Sequence, residues 1–405
     1  MRLEYPYRTE RFGAVRIHEL QRVIEIDCGT QTYDDQLGPS RIVSRDAIRD
    51  VERDLVVVVP CMNEPRRVIE GVLAGIPHDC LIILVSNSDR DPVDRYDLEV
   101  GVLEQFCRLA DRPALVVHQR DPGLAAAMKA SGMPEIIDDQ GLVHHGKGEA
   151  MLAGMALAAM TGRRYVGYVD ADNYIPGAVH EYCKVYAAGL ALADSPYSMV
   201  RISWHSKPKV RDSRLFFSRR GRSSEITNEF LNRLLAEYSG FGTEAVVTGN
   251  AGEHALSLEL GMRMRMAGGF AVEPFHYVEL FERFGGVLPP DPAHADAMAA
   301  GVSVMQIESR NPHFHDNKGD EHVASMRTQA LNVIYHSEIC PPQLRESIVE
   351  FLSGDTPPME RIYPPVASLA LDRLYDGITT EAETFRQIVQ RLPARVRTVT
   401  PLQRA

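Results

Sequence analysis

Short apolar runs alternate with amphipathic stretches along residues 55–172. The runs are LVVVVP (55–60), LIILVSN (81–87), ALVVHQ (114–119) and YVGYVDAD (165–172). They are rich in valine and isoleucine and apolar throughout, which is typical of parallel strands covered on both faces. Helical patterns separate them at Arg66–Ile76, at Leu98–Ala110 and at 148–162. The alternation predicts an α/β fold with a doubly wound, mainly parallel sheet flanked by helices.

Four loops follow these strands, at 60–64, 86–91, 119–148 and 170–177. In doubly wound sheets ligands bind beyond the carboxyl ends of the strands. We therefore expect these loops to share one rim and to form a binding site.

The pattern is less regular after residue 178. It predicts a strand at 196–205 and a loop at 288–294, and helices near 225–238, 253–266, 294–305 and 321–337. The last fifty residues, with repeated prolines and a polar end, are predicted to form a peripheral helical tail.

Composition excludes several classes of protein. The chain has 405 residues, so we expect one enlarged α/β domain or a main domain with an added lobe. A formal charge of −11 argues against nonspecific nucleic-acid binding, which needs a basic surface. There is no 18-residue apolar run and no apolar leader at the start, so neither a membrane span nor a secretory signal is expected.

The six cysteines are scattered and form no CxxC pair: Cys28, Cys61, Cys80, Cys107, Cys183 and Cys340. Several lie in apolar runs, and buried free thiols fit this pattern better than disulfides or zinc ligands. The expected compartment is the cytoplasm.

The first candidate site is Asp170-Ala171-Asp172, which follows an apolar run. Two carboxylates spaced i, i+2 at a strand end can both reach one divalent cation, and the cation can bridge to phosphate oxygens. Aspartate is also common in turns for backbone reasons alone. The preceding strand and the rim position favour the metal interpretation.

Two further loops on the rim carry candidate donor residues. Glu64, in VVVPCMNEP (57–65), can accept hydrogen bonds from sugar hydroxyls, although Asn63 there could equally cap the next helix. Lys147, in HHGKGEAM (144–151), has glycines on both sides and precedes a helix, so it can face an anion. A solvated loop lysine is the alternative.

Anion-binding and metal-binding patterns recur in the second half. Arg219, Arg220 and Arg222 surround Gly221, and Ser223 and Ser224 then open a helical pattern. Arginines, hydroxyls and a helix N-terminus suit phosphate or carboxylate, and a solvated basic face is the competing interpretation.

His313 and His315 stand beside Asn311 and could complete the ligand set of a metal. An HxH pair more often lies on the surface or in a turn without binding a metal. Glu253 and Glu273 follow glycine-containing turns and could orient sugar hydroxyls. Alternatively, Glu253 could cap a helix and Glu273 could stand at a strand end.

The ordered set of motifs is more specific than any one of them. It comprises P-x-x-N-E, S-N-S, G-K-G, D-A-D, G-R-S-S, G-E-H-A, A-V-E and R-N-P-H-F-H. This set resembles the retaining GT-A glycosyltransferases that make glycosyl-3-phosphoglycerates, and most closely the mannosyl-3-phosphoglycerate synthase family. The resemblance extends from the start of the chain to about residue 340.

The resemblance implies a GT-A fold with a nucleotide-sugar half at 1–178, an acceptor half at 179–340 and a helical tail at 341–405. It implies transfer of mannose from GDP-mannose to the 2-hydroxyl of 3-phosphoglycerate, with retention and a divalent metal (Mg²⁺ or Mn²⁺, possibly Co²⁺). The product is the precursor of the compatible solute mannosylglycerate. A homodimer is also expected.

The resemblance also implies roles for individual residues. Donor contacts would come from Pro60, Met62, Glu64, Ser86, Gln119, Lys147, Gly148 and Asp170. Asp172 and His313, with His315 as second choice, would hold the metal, and Asp170, Asp172 and Glu273 would be catalytic. Acceptor contacts would come from Gly221, Arg222, Ser223, Ser224, Glu253 and Asn311.

Three alternatives are weighed against this function. The chain could use another donor, such as GDP-glucose or UDP-glucose. A sugar-phosphate nucleotidyltransferase also combines such a sheet with paired carboxylates, but PCMNEP lacks the early glycine-rich loop typical of that class. A non-enzymatic nucleotide-sugar-binding protein would not need the whole set of motifs.

Overall fold

A computed structural model describes residues 1–26, 40–211, 214–218, 222–314 and 319–388, with the backbone alone at 209–211, 214–218, 222 and 320. The strands are β1 (Arg2–Glu4), β2 (Thr9–Phe12), β3 (Val15–His18), β4 (Gln21–Glu25), β5 (Ser40–Ile42), β6 (Leu55–Cys61), β7 (Leu81–Ser86), β8 (Ala114–His118), β9 (Tyr165–Tyr168), β10 (Tyr197–Ser203), β11 (Lys207–Arg211), β12 (Arg214–Ser218), β13 (His254–Ser257), β14 (Met266–Ala267), β15 (Val302–Glu308), β16 (Ile362–Tyr363) and β17 (Arg386–Ile388).

The helices are α1 (Arg45–Arg53), α2 (Arg66–Gly75), α3 (Arg95–Ala110), α4 (Pro122–Ser131), α5 (Lys147–Ala159), α6 (Pro176–Leu192), α7 (Arg222–Ser239), α8 (Leu258–Gly261), α9 (Val272–Phe284), α10 (Ala295–Ala300), α11 (Asp320–Tyr335), α12 (Pro342–Phe351) and α13 (Leu371–Glu381).

One mixed sheet organises the described chain. Its strand order is β17-β8-β7-β6-β9-β13-β10-β15-β4-β1-β5, and β3 also pairs with β15 and carries β2. The central pairs β6–β7, β7–β8, β6–β9 and β10–β15 are parallel, while β13 runs antiparallel between β9 and β10. The mainly parallel sheet with flanking helices confirms the predicted fold class.

Strand β6 is apolar throughout because helices cover both of its faces. Val56 and Val58 join the buried cluster that includes α5, whereas Val57 and Val59 join the cluster that includes α2 and α6. Successive strand residues point to opposite faces, so a strand buried on both sides needs a hydrophobic residue at every position.

Two predicted helices are wrong in part. The stretch 253–266 begins with strand β13 and continues into the short helix α8, and the stretch 294–305 contains α10 followed by the start of β15. The strand residues in both stretches, 254–257 and 302–305, form short buried runs, and periodicity alone does not separate a short buried strand from a buried helix. Glu273, given as a possible strand-end residue, lies instead in the first turn of α9.

The described part of the C-terminal segment is not peripheral. Strand β17 pairs with β8 at the edge of the main sheet, and β16 pairs with β14. In α13, Leu374 and Ile378 are buried in the core, which anchors the segment against α4. The boundaries at 178 and 340 stay a prediction.

Cys61, Cys80, Cys107, Cys183 and Cys340 are buried and unbridged, as expected; Cys28 lies outside the described residues. No helix in the described part of the chain is long and apolar enough to cross a membrane.

Candidate active site

A cavity of about 910 Å³ lies at the carboxyl ends of the central strands. Its wall includes Pro60 at the end of β6, Asn87 after β7, Gln119 after β8 and Asp170 after β9. The loops that the sequence assigned to one rim therefore meet around one cavity, whose size suits substrate binding.

Most of the candidate residues line this cavity. Those that do are Pro60, Met62, Glu64, Gln119, Lys147, Asp170, Asp172, Ser223, Ser224, Glu273 and His313. Ser86, Gly148, Glu253 and Asn311 are not part of the cavity wall. Gly221 and His315 lie outside the described residues, as do Arg219 and Arg220, and Arg222 is described by its backbone alone.

The four residues away from the wall have other structural roles. Ser86 is fully buried and its hydroxyl accepts from the Ser88 amide. Gly148 allows α5 to pack closely, since a Cβ there would lie 2.1 Å from the Ala267 carbonyl oxygen. Direct substrate contacts are therefore not supported for Ser86 and Gly148.

A buried ion cluster centres on Lys147, the first residue of α5. Its Nζ lies 2.7 Å from Asp170 Oδ1 and 2.8 Å from Glu273 Oε1. Burial lowers the pKa of Lys147, but the charges of Asp170 and Glu273 outweigh burial and hold the pKa above its usual value. Lys147 is a fixed cation that ties the loop after β9 to the first turn of α9.

Glu253 lies behind the cavity rather than in it. It is fully buried, and its carboxylate accepts from Asn173 Nδ2 at 3.0 Å and from Trp204 Nε1 at 2.9 Å. Burial, together with the nearby charge of Asp170, raises the pKa of Glu253 to about 7. Its expected role as an acceptor contact is not supported, because both oxygens already bind protein side chains, one of them that of the wall residue Trp204.

The turn 309–313 places His313 in the cavity. The carboxylate of Glu181 accepts from the backbone amides of Arg310 and Asn311 and from Asn311 Nδ2 at 2.7 Å. The His313 ring stacks on Trp204 with centroids 4.3 Å apart. Asn311 thus fixes the turn and is not in contact with the cavity, contrary to the expected acceptor role.

Asp172 and His313 fit the protein part of a divalent metal site. Both line the same cavity; a carboxylate oxygen suits Mg²⁺ or Mn²⁺, and an imidazole nitrogen beside it is a ligand for a divalent transition metal. Within the ranges that the structure describes, no three His, Cys, Asp or Glu side chains form a group that could hold a metal. The remaining ligands would therefore be phosphate oxygens and water.

The loop after β6 is held by its own side chains. Asn63 has a left-handed backbone, with φ 66°, and its Nδ2 donates to Asp89. Helix α2 is preceded by Pro65 without a side-chain cap, so Asn63 does not cap it. The Glu64 carboxylate accepts from the Met62 amide, which keeps Glu64 at the cavity wall.

Gln119, after β8, is another polar residue in the cavity wall. Its Nε2 donates to the carbonyl oxygens of His144 and Gly146, while Oε1 is buried with no partner among the described residues. The free carbonyl oxygen is suited to accept a hydrogen bond from a ligand.

The opposite end contains the first turn of α7 and the start of β11. Ser223 and Ser224 are near the N-terminus of α7, where backbone amides attract anions. Lys207 Nζ lies 4.2 Å from the centroid of the Trp204 ring. Burial lowers the pKa of Lys207, even though the charges of Glu253, Asp172 and Asp170 oppose that shift.

Sequence patterns did not single out several wall residues. Trp204 and Asn250 come from loops, Lys207 is the first residue of β11, and Arg361 comes from the segment expected to be peripheral. A glycine-containing turn, GNAGEH, was the only local signal for Asn250.

Comparisons with known proteins show which family the chain resembles. The family model of mannosyl-3-phosphoglycerate synthase matches residues 5–378. A mannosyl-3-phosphoglycerate synthase from Pyrococcus furiosus is 43% identical over 95% of this chain and 99% of its own. Another from Aeropyrum pernix is 36% identical over 91% of this chain and 95% of its own.

A solved structure of glucosyl-3-phosphoglycerate synthase from Mycobacterium tuberculosis, in complex with Mn²⁺, UDP and glucosyl-3-phosphoglycerate, is also similar. It has a TM-score of 0.47 and 20% identity over 73% of this chain and 85% of its own.

Proposed function

Because this chain belongs to the mannosyl-3-phosphoglycerate synthase family, we propose that it is a hexosyltransferase that moves mannose from GDP-mannose to the 2-hydroxyl of 3-phosphoglycerate. The product is mannosyl-3-phosphoglycerate, formed with retention at the anomeric carbon.

One observation carries this proposal: a single cavity contains both kinds of binding group. Glu64 and Gln119 at one end offer oxygen atoms to a base and a ribose, whereas the serines of α7 at the other end suit an anionic acceptor. Between the two ends lie the Asp170–Lys147–Glu273 cluster and Asp172. Such an order supports a reaction in which a donor and a small anion meet at the acidic cluster.

The residues that line the cavity have different roles in this reaction. Asp172 and His313 would hold the divalent metal, which would supply positive charge for the leaving diphosphate. Lys147 keeps Asp170 and Glu273 in fixed positions, and Glu273 accepts from hydroxyls of the mannose. Ser223, Ser224 and the backbone amides of α7 bind the phosphate or carboxylate of the acceptor.

We propose front-face attack as the route to retention. The bond from the anomeric carbon to the phosphate oxygen breaks while the bond to the acceptor's 2-hydroxyl oxygen forms, and the departing phosphate oxygen takes the hydroxyl proton. Asp170 and Glu273 each lie 2.7–2.8 Å from the Lys147 ammonium. An ion-paired carboxylate is a weaker nucleophile, which disfavours a covalent intermediate on either residue.

The proposal is tested by incubating the protein with GDP-mannose, 3-phosphoglycerate and Mg²⁺ or Mn²⁺. GDP and mannosyl-3-phosphoglycerate should form in equal amounts, and a chelator should stop the reaction. Asp172→Asn should abolish transfer while far-UV circular dichroism stays unchanged.

Two outcomes would support other functions. Transfer from GDP-glucose or UDP-glucose at an equal or higher kcat/KM than from GDP-mannose would mean that GDP-mannose is not the preferred donor. Release of pyrophosphate from GTP and a sugar phosphate would indicate a nucleotidyltransferase. The homodimer expected from the sequence stays a prediction.

A further inference from the structure

Asn250 is a polar side chain without a protein partner in the wall of the cavity. Its relative exposure is 4%, and it lines the cavity. Neither its Oδ1 nor its Nδ2 has a hydrogen-bond partner among the described residues. Because both atoms lack one, the observation holds for either orientation of the amide. A buried amide with two unsatisfied atoms is costly unless a ligand satisfies it.

The backbone around Asn250 is held rigidly beside the ion cluster. Asn228 Oδ1 accepts from the Gly249 amide at 2.7 Å, and Arg201 Nη2 donates to the carbonyl oxygens of Gly249 and Glu273 at 3.2 and 3.0 Å. One guanidinium thus ties the residue before Asn250 to Glu273. The backbones of Gly249 and Glu273 are therefore held together by Arg201, and the Asn250 and Glu273 side chains line the same cavity.

The loop also passes directly over Lys147 and Asp170. A Cβ on Gly252 would lie 2.8 Å from Lys147 Nζ and 2.7 Å from Asp170 Oδ2. Residues 249–252 therefore lie beside the ion cluster and lead into β13, which is placed between β9 and β10 in the sheet.

The unpartnered atoms at this place have the chemistry of a hydroxyl site. Glu273 Oε2 is also buried without a partner in the described part of the chain, and it can only accept. The Asn250 amide adds one acceptor and one donor group without adding charge. A carboxylate beside a neutral amide suits sugar hydroxyls, which donate and accept, and does not suit a phosphate.

We infer that Asn250, beside Glu273, binds a hydroxyl of the transferred hexose and determines which hexose the enzyme accepts. This inference rests on the proposed function and adds a residue that discriminates the sugar of the donor. A site built to bind a hydroxyl strongly rejects an analogue that lacks it, because the site's buried polar groups are then left unpaired.

The test compares the wild-type protein with Asn250→Ala on GDP-mannose and on its 2-, 3-, 4- and 6-deoxy analogues, with 3-phosphoglycerate saturating. In the wild type, loss of the hydroxyl that Asn250 binds should lower kcat/KM by about 10- to 100-fold. In Asn250→Ala that penalty should nearly vanish for the same analogue, since the hydroxyl no longer has its partner. Because Asn250 makes no protein hydrogen bond in the described chain, the variant should keep its melting temperature.

Asn87→Ala is the matched control. Asn87 lines the same cavity at its donor end, where its Oδ1 lies 3.0 Å from His145 Nδ1. Asn87→Ala should lower kcat/KM for GDP-mannose and its four deoxy analogues by the same factor. The loss of kcat/KM caused by each missing hydroxyl should stay as large as in the wild type.

Three results would overturn the inference. If all four deoxy penalties persist in Asn250→Ala, no donor hydroxyl contacts Asn250. If they persist and KM for 3-phosphoglycerate rises, Asn250 belongs to the acceptor site. A wild-type protein that transfers no hexose from any nucleotide sugar overturns this inference together with the proposed function.

Discussion

At the scale of single residues, Lys147 is the cation on which the cavity depends. Two carboxylates, those of Asp170 and Glu273, are within 2.8 Å of its Nζ. We expect Lys147→Met to lower the free energy of unfolding by about 3–5 kcal/mol, because it leaves the buried Glu273 carboxylate and the partly exposed Asp170 carboxylate unpaired. It should also abolish transfer. Urea denaturation and initial rates, taken at a temperature at which the variant is folded, check both effects.

Lys184→Met is the control for Lys147→Met. Lys184 Nζ lies 2.6 Å from Glu52 Oε1 in a partly buried ion pair that does not line the cavity. This variant should also lose stability but retain the wild-type kcat/KM. If both variants lost activity equally, the role of Lys147 would be structural only.

Two buried histidines should make the stability depend on pH. Burial, followed by the charge of Arg201, lowers the pKa of His276 to about 3, and burial also lowers the pKa of His254 far below its usual value. The unfolded chain takes up these protons near pH 6.5, whereas the folded chain does not. Unfolding is therefore favoured as pH falls from about 6.5 towards 3, by about 1.4 kcal/mol per pH unit for each histidine.

The pH prediction is checked by urea denaturation at pH 7.5 and 5.5. His276→Asn should reduce the difference between the two free energies of unfolding by about 1.4 kcal/mol. An unchanged difference would mean that His276 is protonated in the folded protein.

At the scale of elements, the C-terminal segment supports the start of α5. The fully buried Glu149, in the first turn of α5, accepts from Tyr363 Oη at 2.7 Å and from the Gly269 amide at 3.0 Å. Arg361 Nη2 lies 3.2 Å from the same carboxylate, and both Arg361 and Gly269 line the cavity. One carboxylate thus connects β16, α5 and the loop before α9.

We expect Tyr363→Phe to lower the free energy of unfolding by about 1–3 kcal/mol, because Glu149 loses a donor in a buried place. KM for GDP-mannose should rise, since Glu149 is only two residues from Lys147 along α5. Thermal unfolding and steady-state kinetics measure the two effects.

Tyr182→Phe is the comparison for Tyr363→Phe. The Tyr182 hydroxyl is buried but has no partner among the described residues. Removal of this hydroxyl should change the free energy of unfolding little or not at all and leave KM for GDP-mannose unchanged. A loss as large as that of Tyr363→Phe would indicate a general effect of removing buried hydroxyls.

At the scale of the whole molecule, the sequence predicted those features whose signals are local. The strands β6 to β9 and the polar residues that follow them are visible in short apolar runs and in the aspartates after them. Strand β13 was mistaken for a helix because its place between β9 and β10 depends on distant residues. Asn250, Lys207 and Arg361 are brought to the cavity only by the fold of the whole chain, so no local motif predicts their place there.

The arrangement of the cavity predicts that its two ends can be altered separately. Glu64 lies at the donor end, whereas Ser224 lies in the first turn of α7 at the acceptor end. Ser224→Ala should raise KM for 3-phosphoglycerate by about tenfold, the effect of one lost hydrogen bond to a charged group, and leave KM for GDP-mannose unchanged. Glu64→Gln should do the reverse. Each KM is measured with the other substrate saturating, so that the two effects stay separate. If Ser224→Ala raised both values equally, the substrates would overlap at α7, and the division of the cavity into a donor end and an acceptor end would be wrong.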